Sequence, residues 1–471
     1  MQTRCPRLLI AGTSGDSGKT VVTLGLLLAL RRRGILPVAF KKGPDYIDSA
    51  WLSWAAGLPC RNLDTFLQPG DRILESFVGR ASAEINLIEG NRGLLDGMDL
   101  EGTHSSASLA RLLDAPVVLV VNASKMTRTV AAAVVGCRQL EPDLQLGGVI
   151  LNRVAGDRHE SLARRAVEQL AGVPVLGAMP RLREQLLPDR HLGLLPPQEH
   201  EQLGQTAERI REVVGQNVDL DRLVELARSA RALPMEAAGK EPPSERGPTH
   251  ARVRLGVFQD SSFTFYYPEN LEALEQAGAE LVPVSGLSDP QLPPDLHGLY
   301  IGGGFPETHA ARLSDNQSLG RELRRAAAAG LPIYAECGGL IYLARSLQVG
   351  AKRYPMAGVL PLEVELCSRP VGHGYVELTV QRPNPFFAPG LRLTGHEFHY
   401  TRIVGELPPD LYAAFEVRRG TGSGGGRDGI VHNNVLASYT HLHALGAPEW
   451  ATGLVDRAAS WRASRSATHA R

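Results

Sequence analysis

Apolar residues in the first third of the chain fall in short continuous runs rather than in helical stripes. Residues 8–11, 85–89, 116–121 and 148–151 are rich in Val, Ile and Leu, and longer amphipathic stretches separate them. Continuous runs suit strands buried on both faces, so the pattern predicts repeated strand–helix units and a parallel sheet covered on both sides. A helical run over 208–232 closes this series. Residues 235–250 read MEAAGKEPPSERGPTH, with Pro, Gly and charge and little to bury, which predicts an interdomain linker. A second series opens at 253 with VRLGVFQD and continues through apolar runs at 298–301, 332–335, 376–380 and 435–439. The expectation is α/β throughout: one domain over 1–234, a second over 251–458, and a frayed Arg/Ser/Ala tail over 459–471. The glycine run 422–426 reads as a loop between strands.

Composition narrows the classes of partner. At 471 residues the chain exceeds what one core usually holds. Its formal net charge of zero, with 43% hydrophobic and 21% charged residues, leaves no electrostatic footprint for nucleic acid or an anionic membrane. Small-molecule substrates or a protein partner are favoured instead, and monomer and homodimer both stay open. The most apolar stretches, 21–30 and 115–121, fall short of the roughly 20 residues of a spanning helix. The start, MQTRCPRLLIAGTSG, has no export-signal pattern. The five cysteines are scattered without a CxxC pair, which argues against disulfides and zinc and suits a reducing cytoplasm.

Residues 9–20 read LIAGTSGDSGKT: an apolar strand, a glycine-rich turn, then a helix-forming run from Lys19. Successive N–H groups of Gly12, Thr13, Ser14, Gly15, Asp16, Ser17 and Gly18 can cradle phosphate oxygens at the helix N-terminus. Lys19 would reach the outer phosphates of ATP and Thr20 would hold Mg²⁺. Five residues separate Gly12 from Gly18, where the common GxxxxGK[ST] loop has four, a variant that resembles the dethiobiotin synthetase-like group of P-loop enzymes. A chance glycine-rich turn is the bland alternative. Ser14 stands where partition-type and cell-division-site ATPases carry a second lysine, which weakens a reading as a dimerising switch.

Two further segments follow strands. FKKGPDYID at 40–48 supplies Lys41, Asp45, Tyr46 and Asp48, and IEGNRGLLDG at 88–97 supplies Glu89 and Asp96. Phosphoryl transfer needs metal and a positioned acceptor, and Mg²⁺ takes carboxylate oxygens. Thr20, Asp48, Glu89 and Asp96 are the metal candidates; Lys41, Asp45, Tyr46 and Asp48 are candidates for the acceptor. The structural alternative is that these aspartates shape turns and cap helices.

In the second series LPIYAECGGLIYL runs from an apolar strand through Cys337 into an apolar helical stretch. A nucleophile on such a turn is forced outward, and the helix behind it is expected to lower the thiol pKa. A buried structural cysteine is the default for any single Cys. Two features move the reading from that default. GLYIGGGFPE at 298–307 ends a strand in three glycines, and the N–H groups of Gly303 and Gly304 would form an oxyanion hole. LASYTHLH at 436–443 ends a strand in histidines, one of which would take the thiol proton.

Together, GTSGDSGKT, FKKGPDYID, RNLDTF, EGNRGLLDG, LNRVAGDRHE, FYYPENLE, GGGFPE, AECGG, GHEFHY and SYTHLH resemble the motifs of the cobyrinate a,c-diamide synthase family over nearly the whole chain. The resemblance implies a dethiobiotin synthetase-like ATP domain and a class I glutaminase domain. It also implies Mg²⁺ and ordered amidation of two corrinoid carboxylates through acyl phosphates attacked by ammonia. Carried over, Cys337 is the nucleophile and His441 its base. Ordinary class I glutaminases place Glu two residues after that His; here it is His443, as in the cobyrinate and cobyrate synthases. Asn91–Arg92 replaces a more usual apolar pair, GHGYVEL at 372–378 lacks an expected Arg, and Ala335 stands where many glutaminases have Gly. With SKMTRT at 124–129, these departures leave sirohaem- or sirohydrochlorin-type macrocycles as alternative acceptors, which Arg92 and Arg128 would grip through extra carboxylates. Cobyrate synthase is a third candidate, disfavoured by FKKGPDYID and FYYPENLE. A different class, an ATPase switch with an inactive glutaminase-like module, is disfavoured by Ser14 and the intact Cys337 and His441.

Overall fold

A computed structural model describes residues 2–82, 84–182, 186–187, 189–190, 193–194, 197, 200, 202–234 and 252–469. The chain divides into two compact units, Met1–Pro243 and Ser244–Arg471. The linker expected at 235–250 lies outside the described residues.

The first unit is built on a seven-stranded sheet in the order Arg61–Leu63, Pro37–Lys42, Ile85–Gly93, Arg7–Gly12, Val117–Asn122, Leu146–Val154 and Val175–Pro180. Every pairing is parallel. The continuous apolar runs are explained by burial on both faces. Leu9 and Ala11 point into one core cluster with Ile73, Phe77, Val130 and Val134, while Leu8 and Ile10 point into another with Leu24, Leu27, Val213 and Val214. Each such large side chain taken fully out of water contributes about 1.5–3 kcal/mol. The helical run expected at 208–232 is two helices, Leu203–Asn217 and Leu220–Arg228, the second capped by Asp219 accepting from the Arg222 N–H. Arg7–Gly12 is the middle strand, so the loop after it opens where neighbouring strand ends also converge.

The second unit carries a ten-stranded mixed sheet. Its parallel half runs Ala279–Val284, Val253–Phe258, Gly298–Ile301, Ile333–Glu336 and Val435–Ser438. Its antiparallel half continues through Arg427–His432, Tyr412–Arg419, Gly372–Val380 and Arg392–His399 to the two-residue strand His441–Leu442. His441 lies three residues after Ser438, a reach of about 10 Å at most. The antiparallel half therefore curls back on itself, returning the strand Arg392–His399 to the end of Val435–Ser438. This closure brings the distant GHEFHY and SYTHLH segments together.

The irregular tail expected from 459 is not found: a helix spans Glu449–His469. Trp450, Leu454, Ala458 and Ala459 bury one side of it, and Trp461 packs against the core, so contacts extend past 458 and hold the helix in register.

Candidate functional site

The first site forms around the loop that leaves Arg7–Gly12. The chain turns through Gly15–Ser17, and Gly18 adopts φ 88°, opening the helix Lys19–Arg32. Only glycine takes that conformation without strain. A side chain at Gly18 would also strike the Asn152 amide, whose Nδ2 donates to the Ser17 carbonyl at 2.8 Å. Asn152 thus braces the loop from Leu146–Val154. Thr13 N–H donates to Val120 O, and Lys19 Nζ reaches Gly15 O at 3.3 Å. Ser17 Oγ is buried against Gly12 without a hydrogen-bond partner. The cleft here measures about 1450 Å³, its walls including Gly15, Lys19, Thr20, Asp48, Asn152 and Arg153.

Beside the loop lies a charge cluster. Lys41, fully buried, sits 2.6 Å from Asp48 Oδ2 and 2.6 Å from Glu89 Oε1. Thr20 Oγ1 donates to the same Glu89 oxygen at 3.3 Å, and Glu89 Oε2 is buried without a partner. Burial alone would lower the Lys41 pKa, but Asp48 and Glu89 outweigh it and hold the ammonium above its ordinary range. Burial pushes Glu89 up, with Lys41 opposing. At Asp48 the pull of Lys41 overcomes burial and the pKa falls. Lys19 is lowered by burial and by the like charge of Lys41.

The structure separates the acidic candidates by role. Glu89 lies inside the strand Ile85–Gly93, not in the loop after it, and faces Thr20. Asp45 caps the helix Tyr46–Ala56, its Oδ1 accepting from the Asp48 N–H at 2.8 Å; burial and the adjacent Asp48 push its acid up to about 7. Tyr46 is the first helical residue. Asp96 is exposed and accepts from the Gly93 N–H at 2.9 Å, closing a turn. RNLDTF acquires a reason: Asn62 Nδ2 donates to Gly43 O and Asp45 O, fixing the loop that presents Asp45 and Asp48.

The second site forms where Ile333–Glu336 meets the helix Gly338–Leu343. Cys337 sits between them at φ 46°, ψ −96°, a strained conformation for a residue with a Cβ, and its N–H donates to Ser438 O at 2.7 Å. Its Sγ lies 3.9 Å from Phe398 O. The expected lowering of the thiol pKa does not occur: burial pushes it up, and the carboxylates of Glu307 and Glu336 add to the rise. Over the elbow lies the glycine loop. A Cβ at Gly338 would stand 3.0 Å from the Gly304 nitrogen, and one at Gly303 would stand 3.1 Å from His441 Nε2, so Gly303, Gly304, the elbow and His441 share one small space.

His441 is buried, stacked on His396 at 4.9 Å, with Nδ1 3.5 Å from Glu336 Oε2. Burial and the neighbouring His441 and His443 drive the His396 pKa well down. His443 lies 3.8 Å from Glu269 and does not occupy the place of an acid toward His441. Asp428 fixes the approach to His441, accepting from Ser438 Oγ, Tyr439 N, Thr440 N and Thr440 Oγ1.

Comparison with known proteins covers both units. Residues 8–194 match the family model described as the CobQ/CobB/MinD/ParA nucleotide binding domain, and residues 254–449 match the CobB/CobQ-like glutamine amidotransferase domain. The chain is 44% identical to a cobyrinate a,c-diamide synthase of Magnetococcus marinus, with 98% of each chain covered. It is 40% identical to proteins of the same description from Methanosarcina acetivorans, with 98% and 97% covered, and Archaeoglobus fulgidus, with 96% and 97% covered. The chain belongs to the cobyrinate a,c-diamide synthase family.

As a member of the cobyrinate a,c-diamide synthase family it is a glutamine-dependent amidating ligase with a nucleotide-binding domain. Among the described residues no helix is long and apolar enough to cross a membrane. Sequence reasoning gave no individual role to Asn152, Glu336, His396 or Asp428. A signal existed for Glu336, a charged residue closing an apolar strand directly before the nucleophile.

Proposed function

We propose that this chain uses ATP and glutamine to amidate the a- and c-carboxylates of cobyrinate or its metal-free counterpart. The observation that carries the reading is a phosphate loop with a buried Lys–carboxylate cluster in one unit and a cysteine elbow with a buried histidine in the other, in a chain 44% identical to a named cobyrinate a,c-diamide synthase end to end. Those relatives favour cobyrinate over sirohaem-type acceptors, and glutamine-directed machinery disfavours a bare ATPase switch.

At the glutaminase, Cys337 Sγ attacks the glutamine side-chain carbonyl while His441 takes the thiol proton. The N–H groups around Gly303 and Gly304 receive the oxyanion. Collapse expels ammonia with the proton returned by His441, and water then releases glutamate from the thioester. A thiol held neutral by burial suits this sequence, because proton transfer then accompanies the arrival of substrate.

In the synthetase unit the loop N–H groups and Lys19 would hold the ATP phosphates. A substrate carboxylate takes the γ-phosphoryl group, ammonia displaces phosphate, and the amide remains. Mg²⁺ fits this site: Thr20 Oγ1 and Glu89, with its unpartnered Oε2, offer hard oxygens. No group of three or more His, Cys, Asp or Glu suited to a metal occurs among the described residues. That suits an ion completing its shell with phosphate and water, and it would neutralise charge on the β- and γ-phosphates. Lys41 holds Asp48 and Glu89 in place.

Mass spectrometry of products from cobyrinate, hydrogenobyrinate and sirohaem offered in parallel, with ATP and glutamine, tests the reading. Two successive acid-to-amide mass decreases on cobyrinate or hydrogenobyrinate are expected. Turnover of sirohaem alone would contradict it.

A further inference from the structure

The glutaminase lacks an acid two residues after His441, yet His441 is not without a carboxylate. We propose that Glu336, the residue immediately before the nucleophile, is the positioning acid of a rearranged triad in which Cys337, His441 and Glu336 act together. The inference rests on the glutaminase reading above.

Glu336 is fully buried at the end of Ile333–Glu336. A buried carboxylate is tolerable only when its lone pairs are met. Its Oε1 accepts from Tyr334 OH at 3.0 Å and from the Leu442 N–H at 3.2 Å. Its Oε2 accepts from Tyr300 OH at 3.0 Å and faces His441 Nδ1 at 3.5 Å. The Leu442 contact ties the carboxylate to the backbone next to the imidazole it orients. Strand alternation explains the position: Cys337 turns out of the sheet at the elbow while Glu336 stays buried beneath it. The proposed triad places the imidazole proton on Nδ1, toward Glu336 Oε2 at 3.5 Å; Nε2 is then the acceptor left for the Cys337 proton, and it lies on the Gly303 side where the elbow opens.

Glutamine at 336 cannot reproduce this set. Leu442 N–H is a fixed donor, so the amide oxygen would turn to it and the amide NH₂ to His441. Nδ1 would then have to accept, the proton would sit on Nε2, and the base would be lost. The effect belongs to kcat, since Glu336 is not expected to touch glutamine.

The test compares Glu336→Gln, His441→Ala, their double variant and Cys337→Ala in the full chain. Glu336→Gln is expected to lower kcat for glutamine hydrolysis at least about 100-fold with KM within about threefold. ATP-dependent amidation from free ammonia should persist, which certifies folding. Alkylation of Cys337 by iodoacetamide, read by peptide mass, should slow alike in Glu336→Gln, His441→Ala and the double variant. Wild-type kcat in Glu336→Gln, or a further equal slowing in the double variant, would overturn the proposal. If Glu336→Gln does not fold, Tyr300→Phe removes one Oε2 donor, and a roughly three- to tenfold kcat loss is expected; no loss would overturn it. Glutamine turnover surviving in Cys337→Ala would instead refute the glutaminase reading itself.

Discussion

Replacing Lys41 with Met deletes the ammonium from a site that holds Asp48 and Glu89 at 2.6 Å each, with Lys41 and Glu89 fully buried. At an effective dielectric constant near 20, each 2.6 Å contact represents roughly 6 kcal/mol of attraction before desolvation is subtracted. Desolvation removes most of that, and breaking a buried pair by deleting one partner typically destabilises by about 3–5 kcal/mol. Met keeps the volume, so the loss reports charge and not a cavity. Lys41 is held above its ordinary range, so its contribution is complete below the unfolded lysine value of roughly 10.4 and is lost only as pH rises beyond it. Asp48 is held below its range, so its contribution is present above roughly pH 3.9 and is lost as pH falls. At pH 7 both are intact and the full effect applies. Hydrogen exchange under mild urea gives the readout strand by strand. Peptides covering Pro37–Lys42 and Ile85–Gly93 should lose about 3–5 kcal/mol of protection, while peptides covering Val435–Ser438 in the other unit keep theirs. A loss under about 1 kcal/mol would refute the structural role of Lys41 and leave only the acceptor-binding role the sequence suggested.

Gly303→Ala puts a methyl 3.1 Å from His441 Nε2 and 3.3 Å from Phe265 Cβ; it should abolish glutamine turnover while ammonia still supports amidation, as product mass would report. Asn152→Ala frees the Ser17 carbonyl and should weaken ATP binding by roughly fivefold, measured by calorimetry. Asp428→Ala strands four donors before His441 and should lower stability by about 2–4 kcal/mol in denaturant unfolding. Asp45→Asn keeps a helix cap and removes an acid raised to about 7. A raised acid loses folded-state stability as pH climbs from about 4 to 7, so the variant should show a smaller drop in Tm between pH 5 and pH 8 than wild type.

The α/β layers were legible because continuous apolar runs such as 8–11 have one good solution, a strand buried on both faces. The phosphate loop was legible because glycine spacing, strand and helix all fall within residues 9–20. Roles that depend on long-range closure were not. Asn152 meets Ser17 across 135 positions and Glu336 meets Leu442 across 106, and no local pattern encodes either. Asp96 closes a turn at Gly93, the structural alternative that the sequence already offered for these aspartates. The thiol misled: strand and turn identify an elbow, but only packing shows that desolvation and two nearby carboxylates push Cys337 upward. The tail was read as frayed because its composition is polar, while Trp450, Leu454 and Ala458 before it anchor a helix that carries on through it.

The most direct measurement is the product mass from cobyrinate and ATP with either glutamine or ammonium as nitrogen source, for wild type and Cys337→Ala. The account predicts a diamide from both sources with wild type, and from ammonium only with Cys337→Ala. A diamide from glutamine with Cys337→Ala, or no amide from ammonium in the folded variant, would contradict it.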